Sequence, residues 1–307
     1  MTDPMPLDDD VVVSTAWLDA HLMRVGTPEL CVVDVRGQVR PPGSKPRYLA
    51  KRDAYDQAHI PGAVFVDWTR DIVDASDPVP VQIAQAGPFA AAMSALGVGE
   101  ETLVVAYDDY DHIFAGRLAW ALRYYGHEAV RVLDGGWARW LVEGRRTSSQ
   151  PGEPPDPGRG PPARFVARPR PALRRTADDV ARALGNPDTL IIDARPAEQY
   201  AGAVSAATRS GHIPGARNVP YARLVDPETG RFRPRAELAA AFAEAGVDPG
   251  ALPREVIVYC NGGVSCTVPL NALRMLRGDR DDVAVYDGSW NEWGADETRP
   301  VKAGPKP

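Results

Sequence analysis

Short runs of β-branched and aliphatic residues alternate along the chain with stretches whose apolar positions recur every three or four residues. In the first half the apolar runs fall at 31–35, 63–67, 103–107 and 130–133. Between them, 14–22 reads as a capped amphipathic helix, and 88–96 and 114–125 read as further helices. The second half follows the same plan. Thr176-Ala177-Asp178-Asp179 opens a capped helix, 190–193 is a strand, and 234–245 is a helix. A strand at 256–259 feeds a helix at 266–276, and 283–286 is the last strand. Strands alternating with helices predict an α/β fold, with mainly parallel sheets covered by helices on both faces.

The likeness between the halves extends to individual residues. Val32-Val33-Asp34-Val35-Arg36 recurs as Ile191-Ile192-Asp193-Ala194-Arg195, and His59-Ile60-Pro61-Gly62-Ala63 as His212-Ile213-Pro214-Gly215-Ala216. Asp134-Gly135-Gly136-Trp137 recurs as Asp287-Gly288-Ser289-Trp290. Three matches in one order, each about 150 residues downstream, indicate duplicated domains rather than a solenoid. The expected boundaries are 11–144 for the first domain, 145–172 for a linker and 173–300 for the second domain. Within the linker, prolines crowd 150–162, a composition that forms neither helix nor ladder.

Composition narrows the reading. The chain has 307 residues, 44% hydrophobic and 25% charged, as expected for two globular domains that each bury a core. A net charge of −6 argues against a general nucleic-acid surface. No apolar run approaches the roughly 20 residues that span a bilayer, and the acidic, proline-containing start resembles no targeting signal. A cytoplasmic location is therefore expected, with neither nucleic acid nor membrane as partner. Three cysteines make no disulfide framework, and the histidines are too scattered for a metal cluster. Cys31, within an apolar run, reads as an inert core residue.

The most informative residue is Cys260. The strand Val256-Ile257-Val258-Tyr259 ends on it, and Asn261-Gly262-Gly263-Val264-Ser265-Cys266-Thr267 follows and opens a helix. A strand, a glycine loop and a helix start surround one sulfur with backbone N–H groups and a positive helix end, which lowers a thiol pKa. Gly262 and Gly263 permit a tight turn, and Ser265 and Thr267 offer hydroxyl donors to the same bowl. Cys266 has two readings, a resolving thiol or a small packing residue. Cysteine phosphatases hold an oxyanion over a similar loop with an arginine six positions after the cysteine. Here that position is Cys266, so phosphoryl transfer lacks its main charge stabiliser. In the first copy Asp108 stands in place of the cysteine, and a carboxylate carries no sulfane sulfur.

With the two HIPGA segments, a loop of the form C-x-x-G-x-S and the Tyr286-Asp287-Gly288-Ser289-Trp290 box, the chain resembles tandem-domain rhodanese sulfurtransferases, the thiosulfate and 3-mercaptopyruvate enzymes. The resemblance covers nearly the whole chain. It implies two rhodanese-like domains, the second catalytic, and transfer of sulfur through a Cys260 persulfide cradled by the N–H groups of residues 261–266. The implied partners are a small sulfur-donor anion and a cyanide or thiol acceptor, including thioredoxin-like proteins. No cofactor or metal is implied. The alternative is a persulfide carrier that receives sulfur from another protein without turnover of small donors.

Several positions depart from the family pattern. Thiosulfate enzymes of this family carry basic residues at the two positions after the cysteine, where this chain has Asn261 and Gly262. Mercaptopyruvate enzymes carry glycine and then a relay serine there, together with a relay histidine in the first domain. Gly262 has no hydroxyl, and residues 67–89 contain no histidine. The missing relay favours thiosulfate as donor. Gln199 stands where a substrate-binding arginine is usual, which leaves Arg195 and Arg209 as candidates for the anion. For Arg195 the competing reading is a structural ion pair, and for Arg209 a solvated surface residue. Asp193 is expected to tie the strand end to the loop and His212 to fix its Pro-Gly turn.

Overall fold

Leu30–Asp34 (β2) and Leu103–Tyr107 (β6) are buried along their whole lengths and pair in parallel, Leu30 against Leu103 through Asp34 against Tyr107. Strands buried on both faces read as continuous apolar runs, which is why these were legible in the sequence. In this computed structural model residues 5, 7, 9–152, 163–205, 207–278 and 283–307 are described. The first sheet also holds Val12–Val13 (β1), Val64–Phe65 (β5) and Val130–Leu133 (β7), in the order β1-β7-β6-β2-β5, all parallel. A separate antiparallel hairpin joins Gly37–Val39 (β3) to Tyr48–Ala50 (β4).

The second sheet comprises Arg174–Arg175 (β8), Thr189–Asp193 (β9), Arg217–Asn218 (β10), Glu255–Tyr259 (β11) and Val283–Tyr286 (β12). Its order, β8-β12-β11-β9-β10, repeats the first sheet strand for strand, again wholly parallel. The helices of the first domain are Thr15–Ala20 (α1), Arg52–Gln57 (α2), Ala86–Ala95 (α3), Ile113–Tyr124 (α4) and Gly136–Val142 (α5). Those of the second are Ala177–Ala183 (α6), Ala197–Tyr200 (α7), Arg235–Glu244 (α8), Thr267–Arg277 (α9) and Ser289–Trp293 (α10). Two α/β domains of the same topology are thus present, as expected. The caps follow the sequence: Ser14 accepts from the Trp17 N–H, and Thr176 forms a reciprocal box with Asp179. Three short strands, β1, β8 and β10, and the hairpin were not expected. Two-residue strands such as β1 and β8 carry too little pattern to be read.

The domains meet through α4 and α9. Gly116 of α4 allows this approach, since a Cβ there would lie 2.6 Å from Thr267 Oγ1. One buried apolar cluster includes Phe114 and Leu118 of α4 together with Leu270 and Leu273 of α9. The interface also repeats across the duplication. Asp134 accepts the N–H of Phe232 at 2.9 Å, and Asp287 accepts that of Ile83 at 3.0 Å. Each copy of the Asp-Gly box therefore reaches into the opposite domain.

Of the proline-rich linker, 153–162 lies outside the described residues. Its flanks are held to the first domain: the Gly152 N–H donates to the Tyr55 hydroxyl, and those of Arg168 and Arg170 donate to the carbonyls of Tyr125 and Tyr124. Among the described residues no helix is long and apolar enough to cross a membrane.

Candidate active site

Cys260 follows directly on β11, with the N-terminus of α9 closing the loop beyond it. Burial alone would push its thiol up. Hydrogen bonds from the Cys266 thiol, the Ser265 hydroxyl and the N–H groups of Cys266 and Gly262 outweigh that effect and hold it at about 5. At neutral pH the sulfur is a thiolate. Cys266 has the opposite environment. Burial and the neighbouring sulfur push its thiol well above the ordinary range, so it keeps its proton and donates it to Cys260. Both cysteines are free.

The loop is held in shape by Ser289. Its hydroxyl accepts from the N–H groups of Cys260 at 3.2 Å and Gly263 at 3.0 Å, and donates to the Tyr286 carbonyl at 2.7 Å. Gly263 takes a left-handed φ of 71°, where glycine carries no steric penalty. Gly262 is required for a different reason: a Cβ there would stand 2.7 Å from Val81 Cγ2 and 2.8 Å from Asn291 Nδ2.

In the first domain Asp108 fills its own cradle. Its carboxylate accepts the N–H groups of Tyr110, His112, Phe114 and Ala115 at 2.8–3.1 Å. The bowl that presents donors to the sulfur in one copy is closed by an internal anion in the other. Both loops are anchored alike, since Trp137 N–H donates to the Asp108 carbonyl and Trp290 N–H to the Cys260 carbonyl.

Cys260 is only 2% exposed, yet it lines the floor of a pocket of about 320 Å³ between the domains. Asn261, Gly262, Val264 and Ser265 line it from the loop, and Gln199 from α7. The first domain contributes Tyr110, Ile113 and the β3–β4 hairpin with Arg40, Arg47 and Tyr48. Residues of the first domain therefore close over the site. Asn291 donates to the Tyr48 hydroxyl at 3.0 Å, which ties hairpin to loop. Asn261 donates to Gln199 at 2.9 Å.

Arg195 and Arg209 do not line this pocket, which corrects their reading as anion-binding candidates. Arg195, 1% exposed, pairs with Asp193 at 2.6 Å, donates to the Gly211 carbonyl and stacks over Trp290. Tyr259 completes that network by donating to Asp193 at 2.6 Å. Arg36, Asp34, Tyr107 and Trp137 build the same network in the domain without a cysteine. The arrangement thus belongs to the fold rather than to sulfur chemistry. Arg209 clasps the C-terminal segment through the carbonyls of Trp293 and Arg299 at 2.7 and 2.8 Å. Asp193 ties the end of β9 to the Tyr259 hydroxyl beside the loop. His212 stacks on Tyr200, with Nδ1 2.8 Å from the Tyr200 carbonyl. His59 repeats that arrangement on Tyr55.

Two loop positions also differ from expectation. Thr267 donates to the Val264 carbonyl at 2.7 Å rather than towards the sulfur, because it begins α9 and turns back on the preceding turn. The Gly263 N–H goes to Ser289. Pattern reading does not single out Arg40, Arg47, Ser289 or Arg117. Arg117 of α4 pairs with Asp287 at 2.7 Å and donates to the Gly263 carbonyl at 3.1 Å, so a first-domain side chain grips the cysteine loop. One signal for Arg40 and Arg47 was present: the first copy carries a longer segment between its Asp-x-Arg and HIPGA motifs than the second, with both arginines in it.

The rhodanese-like domain family matches residues 14–143 and 176–296. A putative thiosulfate sulfurtransferase of Mycobacterium bovis is 33% identical over 304 residues, covering 96% of this chain and 98% of that protein. The 3-mercaptopyruvate sulfurtransferase of Escherichia coli K12 is 35% identical over 293 residues, covering 94% and 97%. The crystal structure of SseA from Escherichia coli, described as having the rhodanese fold of 3-mercaptopyruvate sulfotransferases, superposes with a TM-score of 0.77 at 34% identity, over 91% of this chain and 98% of that one. Two family matches that span both halves, an ordered duplication and a cysteine loop in the second half agree: this chain belongs to the rhodanese family of sulfurtransferases.

Proposed function

We propose that the chain moves a sulfane sulfur from thiosulfate to a thiophilic acceptor through a persulfide on Cys260. The observation that carries this reading is the Cys260 thiol held at about 5 on the floor of an interdomain pocket. The Cys260 thiolate attacks the outer sulfur of thiosulfate, a new S–S bond forms, and the old S–S bond breaks with its electron pair leaving on sulfite. The persulfide anion inherits the donors that held the thiolate, namely the amides of Gly262 and Cys266, the Ser265 hydroxyl and the Cys266 thiol. Cyanide or a thiolate then attacks the terminal sulfur and returns Cys260 as thiolate.

Thiosulfate is favoured over 3-mercaptopyruvate by proton demand. Sulfite leaves as an anion and needs no acid, whereas the carbon left by mercaptopyruvate must be protonated. Gly262 offers no hydroxyl where the mercaptopyruvate enzymes of the family carry a relay serine. The test is steady-state thiocyanate formation with each donor in parallel, for the native chain and Cys260→Ser. The expected result is a higher kcat/KM for thiosulfate and no transfer from either donor in the variant. Residual turnover by Cys260→Ser defeats the reading, and persulfide formed only from a protein donor would establish a carrier instead.

A further inference from the structure

We infer that Arg40 and Arg47 of the β3–β4 hairpin bind the anionic group of the sulfur donor, so that recognition is supplied by the domain that lacks the cysteine. The inference rests on the sulfur-transfer reading of the pocket and names the part of it that selects the donor.

The pocket is otherwise without positive charge. Among the described residues that line it, the charged side chains are Arg40, Arg47 and the Cys260 thiolate itself, and no carboxylate faces in. Asn261 and Gln199, at positions where a cation would be expected, are neutral and bonded to each other at 2.9 Å. A thiolate repels an incoming anion, so an anionic donor reaches it only where fixed positive charge offsets that repulsion. Arginine suits this task because its fork of N–H donors matches the oxygens of a sulfonate-like group and it remains charged at any working pH.

The hairpin is built to hold the two side chains in place. Beyond the Val39–Tyr48 pair the ladder continues, with the Arg40 N–H donating to the Arg47 carbonyl at 2.8 Å. The two arginines therefore lie opposite each other just past the ends of β3 and β4. The hairpin's base is fixed by Trp68, whose indole donates to the Leu49 carbonyl at 2.9 Å. Its tip side is fixed to the second domain by the bond from Asn291 to Tyr48. Arg47 lies half-buried with its guanidinium 5.4 Å from the Tyr48 ring, and Arg40 is exposed at the mouth. This gives one cation at the entrance and one further in.

The test compares alkylation of Cys260 by iodoacetate, an anion, and iodoacetamide, its neutral counterpart, in the native chain, Arg40→Gln, Arg47→Gln and the double variant. Iodoacetamide reports folding and thiol ionisation; the ratio of the two rates reports the field in the pocket. Loss of both cations is expected to lower the iodoacetate rate about tenfold while the iodoacetamide rate stays within about twofold. The native ratio should fall with added salt, because the effect is electrostatic. In parallel, kcat/KM for thiosulfate should drop through KM. An unchanged ratio in the double variant overturns the assignment, even where the native chain turns over thiosulfate. A lowered ratio in a chain that transfers no sulfur would sustain the anion site and defeat the proposed function instead.

Discussion

Arg117 in the first domain and Asp287 in the second form an ion pair 2.7 Å long, buried at the centre of the interface, and the same guanidinium holds the Gly263 carbonyl of the cysteine loop at 3.1 Å. A domain without catalytic cysteine is thereby coupled to the geometry of the one that has it. Arg117→Met would leave Asp287 with Arg174 and the Ile83 N–H as partners. Removing one member of a buried pair is expected to cost about 3 kcal/mol, the low end for such pairs because Arg174 remains. Urea unfolding would measure it, and a change below about 0.5 kcal/mol would show that the pair does not support the interface.

Ionisation of Cys260 sets the pH behaviour. Alkylation of Cys260 should follow a titration near 5, far below an ordinary thiol. Cys266→Ala removes a donor and should move that titration upward, whereas Cys266→Ser keeps a donor and should move it less. A profile unaltered in both variants would show that the amides and the Ser265 hydroxyl hold the thiolate without the Cys266 thiol. The depressed thiol also links stability to pH. Its contribution is fully present above the unfolded thiol range and is lost as pH falls towards 5, so Cys260→Ala should flatten the rise of stability over that window.

Asp108 is expected to be structural in proportion to the amides it satisfies. Asp108→Ala strands the N–H groups of Tyr110, His112, Phe114 and Ala115 and should destabilise the chain by about 3 kcal/mol or more. Asp108→Asn keeps an acceptor oxygen and should cost less. Denaturation of both variants checks the order, and equal losses would contradict it.

Arg209 supports the C-terminal segment and lies apart from the pocket. Arg209→Gln should leave KM for thiosulfate within about twofold while lowering stability by roughly 1–2 kcal/mol, the usual scale for a lost set of surface-proximal hydrogen bonds. A large rise in KM would restore it as a substrate contact.

Much of the architecture was legible because the signals were local. Continuous apolar runs marked β2, β6 and β11, and the repeated Asp-x-Arg, HIPGA and Asp-Gly boxes marked the duplication. The cysteine loop was legible for the same reason, since strand, glycines and helix start are contiguous. What was not legible depends on pairs far apart in sequence. Arg117 meets Gly263 and Tyr48 meets Asn291 only after the domains dock. Arg195 misled because Gln199 stands at the usual substrate-arginine position and left Arg195 as the nearest cation in the motif, whereas its guanidinium is held by Asp193 and Gly211. The identical network around Arg36 in the first domain, already implied by the repeated motif, points to that structural role.

The central claim concerns a sulfur atom on one side chain. Incubating the native chain with thiosulfate and no acceptor, then taking intact and peptide masses, should place one added sulfur on Cys260, removed again by cyanide with stoichiometric thiocyanate. A Cys260 that stays unmodified, or an added sulfur on Cys266 or Cys31 that still turns over, would contradict the account.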